Sequence, residues 1–133
     1  MLSVAKIDEK FLNESIDWEF PIPIAYGPGR INEIGGFCNK FKISNPLVVT
    51  DKGSKELPFV NRLADLLENA SIKTQLFCGI SPNPRDDEIN AGCIAYRNGN
   101  HDGIIAIGGG SALDGAKAIG MTVNSGVSLW DFE

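Results

Sequence analysis

From Trp18 to Tyr26 apolar side chains take every second position: Trp18, Phe20, Ile22, Ile24 and Tyr26. A period of two predicts a strand with one buried face. Pro21 and Pro23 cannot donate to a ladder, which places that strand at a sheet edge, and Gly27-Pro28-Gly29 then turns the chain. Ile31, Ile34, Cys38 and Phe41 follow helical spacing, against which Gly35-Gly36 counts. An alternation begins after this. Leu47-Val48-Val49 predicts a short buried strand closed by Thr50-Asp51-Lys52-Gly53. Val60, Leu63, Leu67 and Ala70 predict an amphipathic helix, and Ile72 to Cys78 a second strand. Ser81-Pro82-Asn83-Pro84 predicts a rigid loop, and Ile89, Cys93 and Tyr96 a helix ended by Asn98-Gly99. Gly103 to Ile107 is a fully apolar strand that runs into Gly108-Gly109-Gly110, and Ala112, Ala116, Ile119 and Val123 stripe a last helix. Residues 1–17 give no clear signal and read as an N-terminal extension, leaving residues 18–133 as one domain.

Strand and helix in strict alternation predict a parallel sheet with crossover helices. Continuous apolar strands are what a sheet covered on both faces demands. The expected fold is therefore an α/β domain with a doubly wound parallel sheet. Such sheets bind ligands at the carboxyl ends of their strands. Three of those ends carry suggestive chemistry: Asp51, Asn83 and Gly108 to Gly110.

Composition narrows the choice. A chain of 133 residues fits one domain, and 17 acids against 12 bases leave a net charge of −5. That balance argues against nucleic acid or anionic lipid as a partner. Apolar residues make up 43% of the chain, enough for a core. No apolar run approaches the roughly 20 residues of a membrane helix. Lys6, Asp8, Glu9 and Lys10 interrupt the N-terminus, so no signal peptide is expected and the location expected is cytoplasmic. Cys38, Cys78 and Cys93 form no Cys-x-x-Cys pair and read as free thiols. The single histidine, His101, cannot build a metal site that needs two or three imidazoles. Its polar loop, Asn98 to Asp102, also argues against a Ser-His-Asp triad.

The segment from Ile107 to Lys117 is the most informative. Three successive glycines let a phosphate approach the backbone, and the following helix offers free N–H groups and a partial positive charge. Ser111 and Asp114, three apart, have the spacing of a capping box. Both residues read either as helix caps or as ligand contacts, and the two roles are compatible. Gly115 and Gly120 each cost about 1 kcal/mol against alanine in a helix, which close helix–sheet packing would explain. Lys117, one turn further in, reads as a surface charge ahead of a phosphate ligand. The dinucleotide fingerprint GxGxxG fails at Leu113, and the P-loop pattern fails at Ala116.

The full string Gly-Gly-Gly-Ser-x-x-Asp-x-Ala-Lys over residues 108–117 resembles the signature of the iron-containing (group III) alcohol dehydrogenase family. Ala25-Tyr26-Gly27-Pro28-Gly29, Val48-Val49-Thr50-Asp51 and Ser81-Pro82-Asn83-Pro84 resemble further family segments in the same order. The resemblance covers about residues 18 to 133. It implies a Rossmann-like N-terminal domain, similar to that of dehydroquinate synthase, which binds NAD or NADP. It also implies a helical C-terminal domain that holds Fe2+ or Zn2+ through one aspartate and three histidines.

On the same resemblance Gly109, Gly110, Ser111 and Asp114 would hold the pyrophosphate. Asn83 would reach toward the cofactor, although it also reads as a simple turn residue. Asp51 would lie beside the adenosine ribose and favour NAD over NADP, although it also reads as a turn aspartate. Lys52 would soften that preference. The substrates implied are a small alcohol and its aldehyde or ketone, with no nucleic acid, no membrane and a possible homo-oligomer. The metal ligands would all fall in the missing domain, so this chain alone is expected to be inactive, a truncated form that exposes an apolar patch. Two alternatives stay open: a glycerol or glycerol-1-phosphate dehydrogenase type of enzyme, and a non-catalytic nucleotide-binding module.

Overall fold

Pro46-Leu47-Val48-Val49-Thr50-Asp51 forms β1, the central strand of the sheet. The computed structural model describes residues 24–125. A 3-10 turn, Arg30–Glu33, leads into α1 (Ile34–Lys40). After β1 come α2 (Pro58–Asn69), β2 (Gln75–Ile80), α3 (Asp86–Asn98), β3 (Gly103–Ala106) and α4 (Gly110–Ser125). Among the described residues the pairings are parallel, in the order β2-β1-β3.

Alternation along the strands feeds two cores. Leu47 and Val49 face Ile89 and Cys93 of α3 and Ala116 and Ile119 of α4. Val48 faces the other way, with Cys38, Leu63, Leu67 and Ile72. β3 divides likewise: Ile104 and Ala106 join the first cluster, Ile105 and Ile107 the second. Helices cover both faces, so the doubly wound α/β expectation holds.

Several boundaries differ from the periodicity, each for a local reason. Helices α1, α2 and α3 end in the same left-handed turn, at Lys42 (φ 59°), Ser71 (φ 60°) and Asn100 (φ 51°). The next amide in each case reaches back five residues: Ile43 to Cys38 O (2.8 Å), Ile72 to Leu67 O (2.9 Å) and His101 to Tyr96 O (3.1 Å). This is a Schellman closure, in which the residue after the left-handed one packs inward. Ile72 therefore belongs to the helix cap, and β2 starts at Gln75 rather than at Ile72. Asn100 makes the turn that Gly99 was expected to make. β3 is half-buried along its length, and among the described residues β1 pairs with one of its edges.

Of the expected first strand, residues 18–23 lie outside the described residues, as does the whole 1–17 extension. Ile24 to Tyr26 form no strand, and Ile24 and Tyr26 are exposed. Phe41, expected on the helical stripe of α1, lies just past the helix and is 59% exposed.

The amino ends of the strands are tied by one carboxylate. Asp102 accepts the Ser44 amide (2.8 Å), the Ser44 hydroxyl (3.0 Å) and the Asn45 amide (2.9 Å). His101 is buried beside it, with Nδ1 donating to Asn45 O at 2.9 Å and Nε2 3.3 Å from Gln75 Oε1. The Ser44 amide, ahead of the other partners, holds the Asp102 carboxyl below the ordinary carboxylate range. A depressed folded value contributes stability that is complete above the unfolded value, about pH 4, and is lost as pH falls through the folded one. Asp102→Asn is thus expected to lower the melting temperature at pH 7. The two curves, followed by circular dichroism, should draw together as pH falls below the unfolded value of about 4.

The glycines of α4 divide. A methyl on Gly115 would stand 2.8 Å from Ile80 Cδ1 and 3.0 Å from its Cγ1, and Ile80 is fully buried. A methyl on Gly120 would meet only Ile104 Cδ1 at 3.6 Å, an ordinary contact. Close packing therefore accounts for Gly115 and leaves Gly120 unexplained. Gly115→Ala is expected to cost about 1–2 kcal/mol in urea unfolding. Gly120→Ala should be neutral or stabilising by up to about 1 kcal/mol.

Candidate dinucleotide site

The carboxyl ends of the three strands converge on Asp51, on the loop Ser81 to Pro84, and on Gly108 to Gly110. Two polar anchors fix this corner. Thr50, fully buried, donates its hydroxyl to Ile107 O at 2.6 Å, and Ile107 N donates to Val49 O at 3.0 Å. The chain is therefore held against β1 until the residue before the glycines. On the other side, Glu88 accepts the Ser81 amide (2.8 Å) and the Ser81 hydroxyl (2.6 Å). Lys52 Nζ lies 3.8 Å from the same carboxylate, and the Lys52 amide donates to Ile80 O at 2.8 Å. The Ser81 hydroxyl, then the Ser81 amide, holds the Glu88 carboxyl below its ordinary range. No sequence pattern assigns an anchoring role to Thr50 or Glu88. The one signal for Glu88 was an acidic first turn, Asp86-Asp87-Glu88, and nothing in that run says which acid turns inward.

The three glycines have different environments. Gly108 has φ +135°, and a Cβ there would stand 2.9 Å from Asp51 Oδ1, 3.0 Å from Ala112 Cβ and 3.2 Å from Thr50 Oγ1. It is the point where the ends of β1 and β3 touch, and only a residue without a side chain fits. A Cβ on Gly109 or Gly110 would meet nothing within 4 Å. Open space therefore lies directly against the backbone at the start of α4, where the first amides lack intrahelical acceptors. Buried Ala112, Ala116 and Ile119 pin that helix to the sheet.

Asp51 is half-buried. Its Oδ1 accepts the Ser54 hydroxyl at 2.8 Å, while Oδ2 has no hydrogen bond among the described residues. Asn83 is exposed between two exposed prolines, with its carbonyl 3.1 Å from Ser81 Oγ. Ser111 is half-buried, whereas Asp114 and Lys117 are exposed. The expected capping box is not formed. Leu113 N donates to Gly109 O at 3.2 Å, so α4 begins at Gly110 and Ser111 lies inside its first turn. Neither the Ser111 nor the Asp114 side chain has a hydrogen bond among the described residues. A serine already in helical conformation cannot serve as the N-cap.

A depression of about 440 Å³ lies at the amino end of the sheet, lined by Ala64, Glu68, Ser71, Ile72, Lys73 and Thr74. It lacks the glycine backbone and the helix start that suit a phosphate. Among the described residues no three of His, Cys, Asp and Glu stand close enough to hold a metal ion. No described helix is long and apolar enough to cross a membrane. Cys38, Cys78 and Cys93 are all free thiols.

Comparison with known proteins gives this geometry a context. The family model for iron-containing alcohol dehydrogenase matches residues 21–133. Choline dehydrogenase of Bacillus subtilis is 34% identical over 116 residues, 87% of this chain and 29% of that protein. The structure of NADH-dependent butanol dehydrogenase A from Thermotoga maritima aligns at a TM-score of 0.80 and 25% identity, over 89% of this chain and 30% of that one. Sulfoacetaldehyde reductase from Bifidobacterium kashiwanohense, solved in complex with NAD+, aligns at 0.76 and 27% identity, over 89% and 31%. The chain thus spans about three tenths of the length of the relatives it matches. With its doubly wound fold, its glycine turn and a family match over most of its length, the chain belongs to the iron-containing alcohol dehydrogenases.

Proposed function

We propose that this chain is the dinucleotide-binding domain of a metal-dependent alcohol dehydrogenase. Such an enzyme passes hydride between a small alcohol and a nicotinamide cofactor. The observation that carries the reading is the empty volume against Gly109 and Gly110, at the start of a helix and beside the Asp51 carboxylate, whose Oδ2 has no hydrogen bond among the described residues. A side chain at either glycine would fill the space in which a diphosphate would lie.

In this reading the amides of Gly109, Gly110 and Ser111 hold the diphosphate, and the Ser111 hydroxyl, which has no hydrogen bond among the described residues, donates to it. Asp114, one turn into the helix, belongs to the same motif and is the most peripheral member. Asn83 contacts the cofactor from the loop after β2. Asp51 accepts the ribose hydroxyls through its free Oδ2 and repels a 2′-phosphate, which selects NAD over NADP. NAD, when bound, supplies the hydride acceptor. A Lewis-acid metal, Fe2+ or Zn2+, does not fit the described residues, so no role is assigned to them in polarising the alcohol. A complex with NAD+ in a relative of the same fold supports the choice of cofactor. A cytoplasmic setting is part of the same reading, in keeping with three unpaired thiols.

Gly109→Val is expected to weaken NADH binding at least about tenfold in calorimetry. It should leave the unfolding free energy within about 0.5 kcal/mol, because the side chain enters empty space. NADH affinity unchanged by Gly109→Val would sink the reading. Asp51→Ala is expected to narrow the preference for NADH over NADPH about tenfold, mainly by tightening NADPH.

A further inference from the structure

Glu88 is the one buried carboxylate among the described residues, at 8% exposure. Asp86 and Asp87, its neighbours in the first turn of α3, are exposed. The positive end of that helix favours all three acids, yet only Glu88 is drawn inward, and what it meets explains why. Two Ser81 donors occupy its oxygens. The cation nearest to it is Lys52, the residue that follows Asp51. Lys52 is otherwise exposed, with 61% of its side chain open to solvent. Its backbone is fixed by the bond to Ile80 O, so the ammonium can point toward Glu88 or toward the Asp51 corner.

We infer that Glu88 is a positioning residue that sets cofactor specificity by holding the Lys52 ammonium away from Asp51. This rests on the proposed role of Asp51 at the adenosine ribose. The charges of Asp51, Lys52 and Glu88 sum to −1 with Glu88 present. They sum to zero without it, and to −2 if Lys52 alone is removed. A 2′-phosphate is doubly charged and feels this sum, whereas a ribose hydroxyl does not. The same carboxylate keeps the loop that carries Asn83 in register with β1, through Ser81. Because Ser81 Oγ is closest to Glu88 and only 3.1 Å from Asn83 O, its single proton goes to the carboxylate.

Glu88→Gln tests the charge with little change of shape, since an amide of the same size still accepts from the Ser81 amide. Affinities for NADH and NADPH are measured by calorimetry on the full chain at low ionic strength. Glu88→Gln is expected to shift the NADPH-to-NADH affinity ratio about two- to fivefold toward NADPH, the range a partly exposed charge supplies. Lys52→Met, at an exposed position that folding tolerates, is expected to shift it by a similar factor the other way. The double variant should return to within about twofold of wild type. A purely structural role would weaken both nucleotides together and leave the ratio alone. That result, or a Lys52→Met shift toward NADPH, overturns the inference while NADH binding by the wild type upholds the proposed function. Wild-type chain that binds neither nucleotide overturns both.

Discussion

The structure depends on one constraint: β1 must be covered on both faces and paired along both edges. Leu47, Val49 and Thr50 are fully buried, and Val48 nearly so. Each carries a backbone donor and acceptor that only neighbouring strands can satisfy away from water. β2 and β3 supply those bonds in parallel register. Parallel pairing in turn requires crossovers that return the chain to the same end of the sheet. The helices of those crossovers bury the alternate side chains of β1 in two separate cores. The loops at the carboxyl ends of the strands are consequently brought together around Asp51, although about 25 to 60 residues separate them in the chain.

Proximity alone would leave those loops loose, and polar anchors make the corner definite. Thr50 lies within the sheet and turns an otherwise apolar strand end into a hydrogen-bond donor for Ile107 O. The cost of burying a hydroxyl is offset by that bond. Glu88 does the equivalent for the loop after β2, with two donors from a single serine. At the opposite end of the sheet Asp102 gathers the amides of Ser44 and Asn45. The apolar layers therefore set the distance between helices and sheet, and a few carboxylates and hydroxyls set where the connecting loops lie. A diphosphate site needs the second kind of precision, because its ligands are mostly backbone amides that cannot adjust by rotating a side chain.

The three Schellman closures show a related economy. Lys42, Ser71 and Asn100 each accept a left-handed backbone that glycine would adopt with less strain. Each is followed by a side chain that packs inward: Ile43 and Ile72 against the second core, His101 beneath Tyr96. The strain in one residue lets the next begin the approach to a strand.

Much of this was legible in the sequence. Short apolar runs alternating with stripes at a period of 3.6 residues gave the order of the elements and the doubly wound sheet, because burial on a strand or helix is a local property, whereas the one period of two, at Trp18 to Tyr26, predicted a strand that residues 24–26 do not form. The triple glycine followed by Ser111 and Asp114 gave the candidate site and the family resemblance, because such a turn needs those residue types at fixed offsets. What the sequence could not decide was anything set by a partner distant in the chain. Ile72 looks like a strand residue until the amide bond to Leu67 makes it a cap. Ser111 looks like an N-cap until the helix begins before it. Glu88 is one of three adjacent acids until the loop bearing Ser81 and the side chain of Lys52 single it out. Gly108, Gly109 and Gly110 are identical letters. Only the packing of β1 against β3 puts Asp51 where a Cβ on the first would go, and leaves the space beside the other two open.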